Sequence, residues 1–106
     1  MRFSFYSNSK EENNVRHEQA ATYNKRPVIV VMGFDVPLQG YFMTVEPVDE
    51  DNPDADEDTG MIYSNLDEPD LKLTMGMAND ISLFKKRLLE MQIEVPPEFF
   101  GKVLAD

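Results

Sequence analysis

Between Val28 and Phe34 the chain reads Val-Ile-Val-Val-Met-Gly-Phe, apolar throughout and rich in β-branched residues. A run this short with that composition favours a strand, and its lack of alternation predicts that both faces are dry. Asp35 and Pro37 stop it, because proline has no N–H to donate and restricts the residue before it. Gly40 is expected to take the positive φ that turns the chain back. From Tyr41 to Glu46 the pattern alternates, with Tyr41, Met43 and Val45 on one face and Phe42, Thr44 and Glu46 on the other. The connection is too short for a parallel crossover, so the two strands form an antiparallel hairpin.

At 106 residues the chain makes one small domain, and 42% hydrophobic residues allow only a thin core. The absence of cysteine excludes disulfides and thiolate chemistry. No apolar run reaches the length of a membrane span, and the opening residues lack the apolar core of a secretion signal. A soluble, cytoplasmic protein with no membrane contact is the expectation.

The net charge of −10 has an address. Residues 48–70 hold ten carboxylates and no basic group, whereas residues 71–106 hold five of each sign. Such a localised negative field repels phosphate backbones, so nucleic acid is not an expected partner.

Residues 1–25 read as a polar N-terminal arm. The alternation from Arg2 to Tyr6 suits a short edge strand, and Glu11 to Thr22 suits a little helix. Residues 26–106 form the α+β domain proper, with an acidic loop at 47–60 whose two prolines and seven carboxylates make it a solvated connection. Met61–Asn65 suggests a third strand. Leu71, Leu73, Met75 and Met77 alternate as in a fourth strand, or as in an extended lead-in to a helix. Asn79 or Asp80 suits an N-cap for a helix carrying Ile81, Phe84, Leu88 and Met91 on one face, with Lys86 and Glu90 spaced to pair. Pro97 suits the first turn of a second helix with Phe99, Phe100, Val103 and Leu104 as its stripe. The architecture is therefore α+β, an antiparallel sheet of three to four strands with two C-terminal helices on one face.

Chemistry finds little material. The single histidine, His17, lies in the polar arm, where nothing positions a general base. Asp35 and Glu46 fall at opposite ends of the hairpin. Asp54, Asp56 and Asp58 open like a calcium loop, but Thr59 stands where such a loop needs glycine and Asn65 where it needs glutamate. No glycine cluster cradles a phosphate. No cofactor, no metal and no enzymatic activity are expected.

What remains is surface. Two helices that share one face leave the other side of the sheet without a lid, and an exposed apolar patch marks an interaction surface. Ile29, Val31, Tyr41 and Phe42 are the candidate contact residues there, with a homodimer as the economical arrangement. Asp49, Glu50, Asp51, Asp54, Asp56, Glu57 and Asp58 are the candidate contacts for a basic protein partner. The expected function is a non-enzymatic interaction or regulatory module, with nucleic-acid mimicry by the acidic loop as a variant. One alternative is a calcium-responsive domain using Asp54, Asp56 and Asp58. Another is a small-molecule site between sheet and helices, drawing on Tyr41, Tyr63 and Gln39.

Overall fold

The apolar run folds as the strand its composition favours, flanked on both sides by antiparallel neighbours. A computed structural model of the chain describes residues 14–105. Its sheet contains β1 (Asn14–Tyr23), β2 (Arg26–Asp35), β3 (Gly40–Pro47) and the two-residue β4 (Tyr63–Ser64), in that spatial order. Two helices follow, α1 (Ser82–Glu90) and α2 (Pro97–Ala105). The protein is α+β, and among the described residues it has a four-stranded antiparallel sheet with two C-terminal helices.

β1 corrects the reading of the polar arm over residues 14–23, where a little helix is expected from Glu11 to Thr22. From Asn14 to Tyr23 every residue pairs with β2, from Asn14 opposite Asp35 to Tyr23 opposite Arg26. Exposure alternates from Arg16 to Tyr23, the period of a strand with one wet face. Asn24 and Lys25 connect the strands with φ of 51° and 67°, the two positive values of a tight hairpin turn whose twist matches the strands. The edge strand expected from Arg2 to Tyr6 lies outside the described residues.

The turn from β2 to β3 also departs from expectation. Gln39, not Gly40, takes the positive φ, at 55°. Gly40 is buried, and a Cβ there would run into the Cβ of Met77. Its role is close approach rather than a turn.

Cross-strand partners share a face, which sorts the sheet residues. Val28, Val30 and Met32 lie level with Pro47, Val45 and Met43. They form the core together with Ile81, Phe84 and Leu88 from and beside α1, and with Phe99 and Val103 of α2. Both helices therefore cover this side. Phe100 is half-buried, while Leu104, expected in the α2 stripe, is exposed. Glu90 pairs with Arg87 at 2.9 Å, not with the expected Lys86. Asp80 accepts from the backbone N–H of Ser82 at 2.9 Å, although the residue before the first helical turn is Ile81.

The alternating segment Leu71–Met77 is not a strand. Asn65–Asp67 and Pro69–Thr74 are 3-10 turns, and Met75 ends the second in the left-handed region at φ 57°. Leu71 N–H donates to Glu68 O at 3.1 Å and Gly76 N–H returns to Leu71 O at 2.8 Å, so the backbone closes on itself instead of extending. The chain regains the sheet only at Ala78, which exchanges two hydrogen bonds with Tyr41, at 2.8 and 3.0 Å.

Candidate functional site

The outer edge of β3 explains why residues 64–78 fold as they do. Buried N–H and C=O groups need partners, and β4 is only two residues long. One end of β3 pairs with Tyr63 and Ser64, and the other bonds Ala78. Between them Met43 N–H donates to the side-chain oxygen of Asn65 at 3.3 Å, while the Asn65 amide donates to Gly76 O at 2.6 Å. Asn65 is 3% exposed and stands in for the backbone of a missing strand.

A second inward anchor joins this segment to α1. Arg87 holds Glu68 with two hydrogen bonds, at 2.7 and 2.9 Å, and the Tyr63 hydroxyl donates to the same carboxylate at 2.7 Å. Glu68 is buried, yet Arg87 and Tyr63 keep its carboxyl below the usual range against the opposing effect of burial. Burial first, and then the carboxylate, push the Tyr63 phenol far above its ordinary value. Thr74 adds two bonds, to Leu71 O at 3.0 Å and Met77 O at 2.6 Å. With so many polar groups turned inward, apolar ones are left outside. Leu73 is fully exposed, and Leu66 and Met75 are about two-thirds exposed, at 67% and 65%.

The acidic loop has more internal structure than its composition predicts. Asp56 N–H donates to Met61 O and Gly60 N–H to Asp56 O, both at 2.8 Å, while the Asp56 carboxylate accepts from the N–H groups of Asp58 and Thr59. At its start Arg26 reaches Asp51 at 3.3 Å and Asp49 at 3.7 Å, and Asn24 donates to Asp54 at 3.0 Å. Among the described residues these are the side-chain contacts that tie the loop to the β1–β2 hairpin. Glu50, Glu57 and Asp58 are exposed.

The candidate sheet-face residues do not act as a set. Ile29, Val31 and Phe42 share the face away from the helices, whereas Tyr41 pairs with Phe34 on the helix side and packs edge-on against its ring at 5.0 Å. Val31, on that face, is only 2% exposed. The accessible part of the face is a flank, where Phe42 and Thr44 meet Met61, Leu66 and Met77 in a hollow of about 420 Å³. Arg16, Asp35 and Asp67 also line it.

Other candidate chemistry does not converge. Among the described residues, no three histidine or carboxylate side chains are grouped to hold a metal ion. The buried polar side-chain atom without a hydrogen bond among the described residues is the Asn52 amide nitrogen, an N–H donor and not a ligand for a cation. The Tyr63 hydroxyl is committed to Glu68, and the Gln39 amide to Val36 O at 2.7 Å. Asp35 accepts from Leu38 N–H in its turn, far from Glu46, which lies opposite Ile29. His17 is half-buried on β1, opposite Met32. No described helix is long and apolar enough to cross a membrane.

Sequence reasoning gave Asn65 no role at the edge of β3 and did not pair Glu68 with Arg87. An asparagine in a turn and two opposite charges 19 residues apart carry no local signal of partnership. Compared with known proteins, the chain matches no family model, no curated protein and no solved structure.

Proposed function

We propose that the protein is a non-enzymatic interaction or regulatory module that presents its acidic loop to a basic partner protein. The observation that carries this reading is the braced loop itself. Its carboxylates are concentrated in a segment without a single basic residue, and the loop is tied to the rigid β1–β2 hairpin through Asn24 and Arg26. A fixed array of like charge speeds encounter with a basic surface and sets its orientation more than it adds affinity. A homodimer through the outer flank of the sheet belongs to the same reading, with Ile29 and Phe42, both half-buried, as its contacts.

The test is capture of partners by the intact protein and by a variant with the seven carboxylates from Asp49 to Asp58 changed to Asn or Gln. Basic proteins retained by the first and lost by the second support the reading, and equal recovery of every partner refutes it. Gel filtration with light scattering at low and high salt decides the dimer, which a strict monomer at both would eliminate.

A further inference from the structure

We propose that the exposed side chains of Leu66, Leu73 and Met75, with the hollows that Leu66 and Met75 line, are the docking surface for a basic amphipathic segment of the partner protein. The inference rests on the interaction-module reading and specifies where on the molecule, and with what chemistry, the partner is held.

The first argument is that the fold does not explain these side chains. Leu71, Leu73, Met75 and Met77 alternate in sequence, yet in the 3-10 turn only Leu71 and Met77 turn inward. Leu73 is wholly exposed, and Met75 is exposed while holding a backbone conformation unfavourable for any residue with a Cβ. A sequence under no other constraint would place a polar residue at the first position and glycine or asparagine at the second.

The second argument is rigidity. Asn65 and Glu68 fasten this segment from beneath, and the Thr74 hydroxyl braces it from within. Presenting apolar side chains from an ordered platform reduces the entropy lost on binding. Leu66 and Met75 line one hollow with Lys72 and Gly76, and Leu66 also lines the hollow that holds Phe42 and Met61. The two depressions are therefore joined at Leu66.

Charge settles the occupant. Asp35 and Asp67 line the hollow beside Phe42 with Arg16, and its wall at Thr59 is the end of the acidic loop. An apolar floor flanked by Asp35, Asp67 and the end of the acidic loop selects a chain that alternates large apolar residues with Lys or Arg.

The experiment measures fluorescence anisotropy of a labelled synthetic peptide of leucine and lysine at helical spacing, against a peptide of the same charge with serine for leucine. The proteins are the intact chain, Leu73→Ser/Met75→Ser, and the loop-neutralised variant. Because both substituted residues are exposed, the double variant should unfold at the same denaturant midpoint. The proposal expects it to bind the leucine–lysine peptide about tenfold or more weakly, and the serine–lysine peptide without change. If the leucine–lysine peptide binds the double variant as tightly as the intact chain and only loop neutralisation weakens it, this surface is not the dock and the interaction-module reading survives alone. If neither peptide binds the intact chain at low salt, both ideas fall. If light scattering shows a dimer that the double variant dissolves, the occupant is a second copy and the assignment to a basic partner is overturned.

Discussion

Arg87 reaches back 19 residues along the chain to grip Glu68, Nε to Oε2 at 2.7 Å and a terminal nitrogen to Oε1 at 2.9 Å. Because Glu68 is buried, removing its partner strands a charge away from water. Arg87→Met should therefore lower the urea midpoint far more than loss of the exposed Arg16–Glu18 pair. Glu68→Leu combined with Arg87→Met should recover most of the loss, since an apolar pair has no charge to desolvate. Tyr63→Phe, which removes one hydrogen bond to the same carboxylate, is expected to cost about 1 kcal/mol. Chemical denaturation of the natural protein and the four variants checks all three statements.

The same carboxylate makes stability depend on acid. The folded-state pKa of Glu68 lies below its ordinary value of 4.5, chiefly through the Arg87 hydrogen bonds. Its contribution is complete above the unfolded value and is lost as pH falls through the lower folded value. The urea midpoint should drop more steeply below pH 4.5 in the natural protein than in the Glu68→Leu/Arg87→Met variant.

Tyr63 should resist alkali. Burial and the adjacent carboxylate raise its phenol well above the ordinary 10.0, so it stays protonated where a typical tyrosine ionises. The stability it contributes is present below that unfolded value and lost as pH rises through the folded one. Absorbance titration of the natural protein against Tyr63→Phe should give equal amplitudes near pH 10 while both remain folded, because the residue removed is not among those titrating there.

Asn65 predicts a large effect from a small change. Asn65→Leu leaves Met43 N–H and Gly76 C=O buried without partners, and should cost about 3 kcal/mol. Asn65→Asp keeps an acceptor for Met43 but loses the donor to Gly76, and should also destabilise. Hydrogen exchange at the Met43 amide should accelerate in the leucine variant.

Backbone geometry gives two opposite results. Gly40→Ala pushes a methyl into Met77 and should destabilise by about 1–3 kcal/mol, through overpacking rather than strain at φ. Met75→Gly relieves a left-handed methionine and should stabilise by about 0.5–1 kcal/mol. The latter should weaken the leucine–lysine peptide, the trade of function against stability expected of a residue kept for contact.

The β2–β3 hairpin and both helices were legible because their apolar residues must be buried, and burial dictates the period. β1 was not legible because, among the described residues, it lies at an edge. Arg16, Glu18, Ala20 and Thr22 face outward, and Gln19 and Ala21 offer little apolar signal on the other side. Its turn hides too, since Lys25 occupies a left-handed position that normally announces itself as glycine. Leu71–Met77 misleads for a different reason. Its alternation is real, but Asn65 already fills the edge of β3 that a further strand would have used. Of the candidate site, the acidic segment was plain from charge alone. Its bracing by Asn24 and Arg26, and the exposure of Leu66, Leu73 and Met75, depended on contacts that only the folded chain creates.

The strands follow one another in space as they do in sequence, and their cover comes last. On a ribosome the Val28, Val30 and Met32 side of the sheet would emerge well before Phe84 and Phe99, the rings that shelter it. A nascent chain arrested in that interval would display a sticky β surface, short of charge on that side, to its neighbours. Synthesis speed through residues 36–98 therefore bears on whether newly made molecules mature or clump.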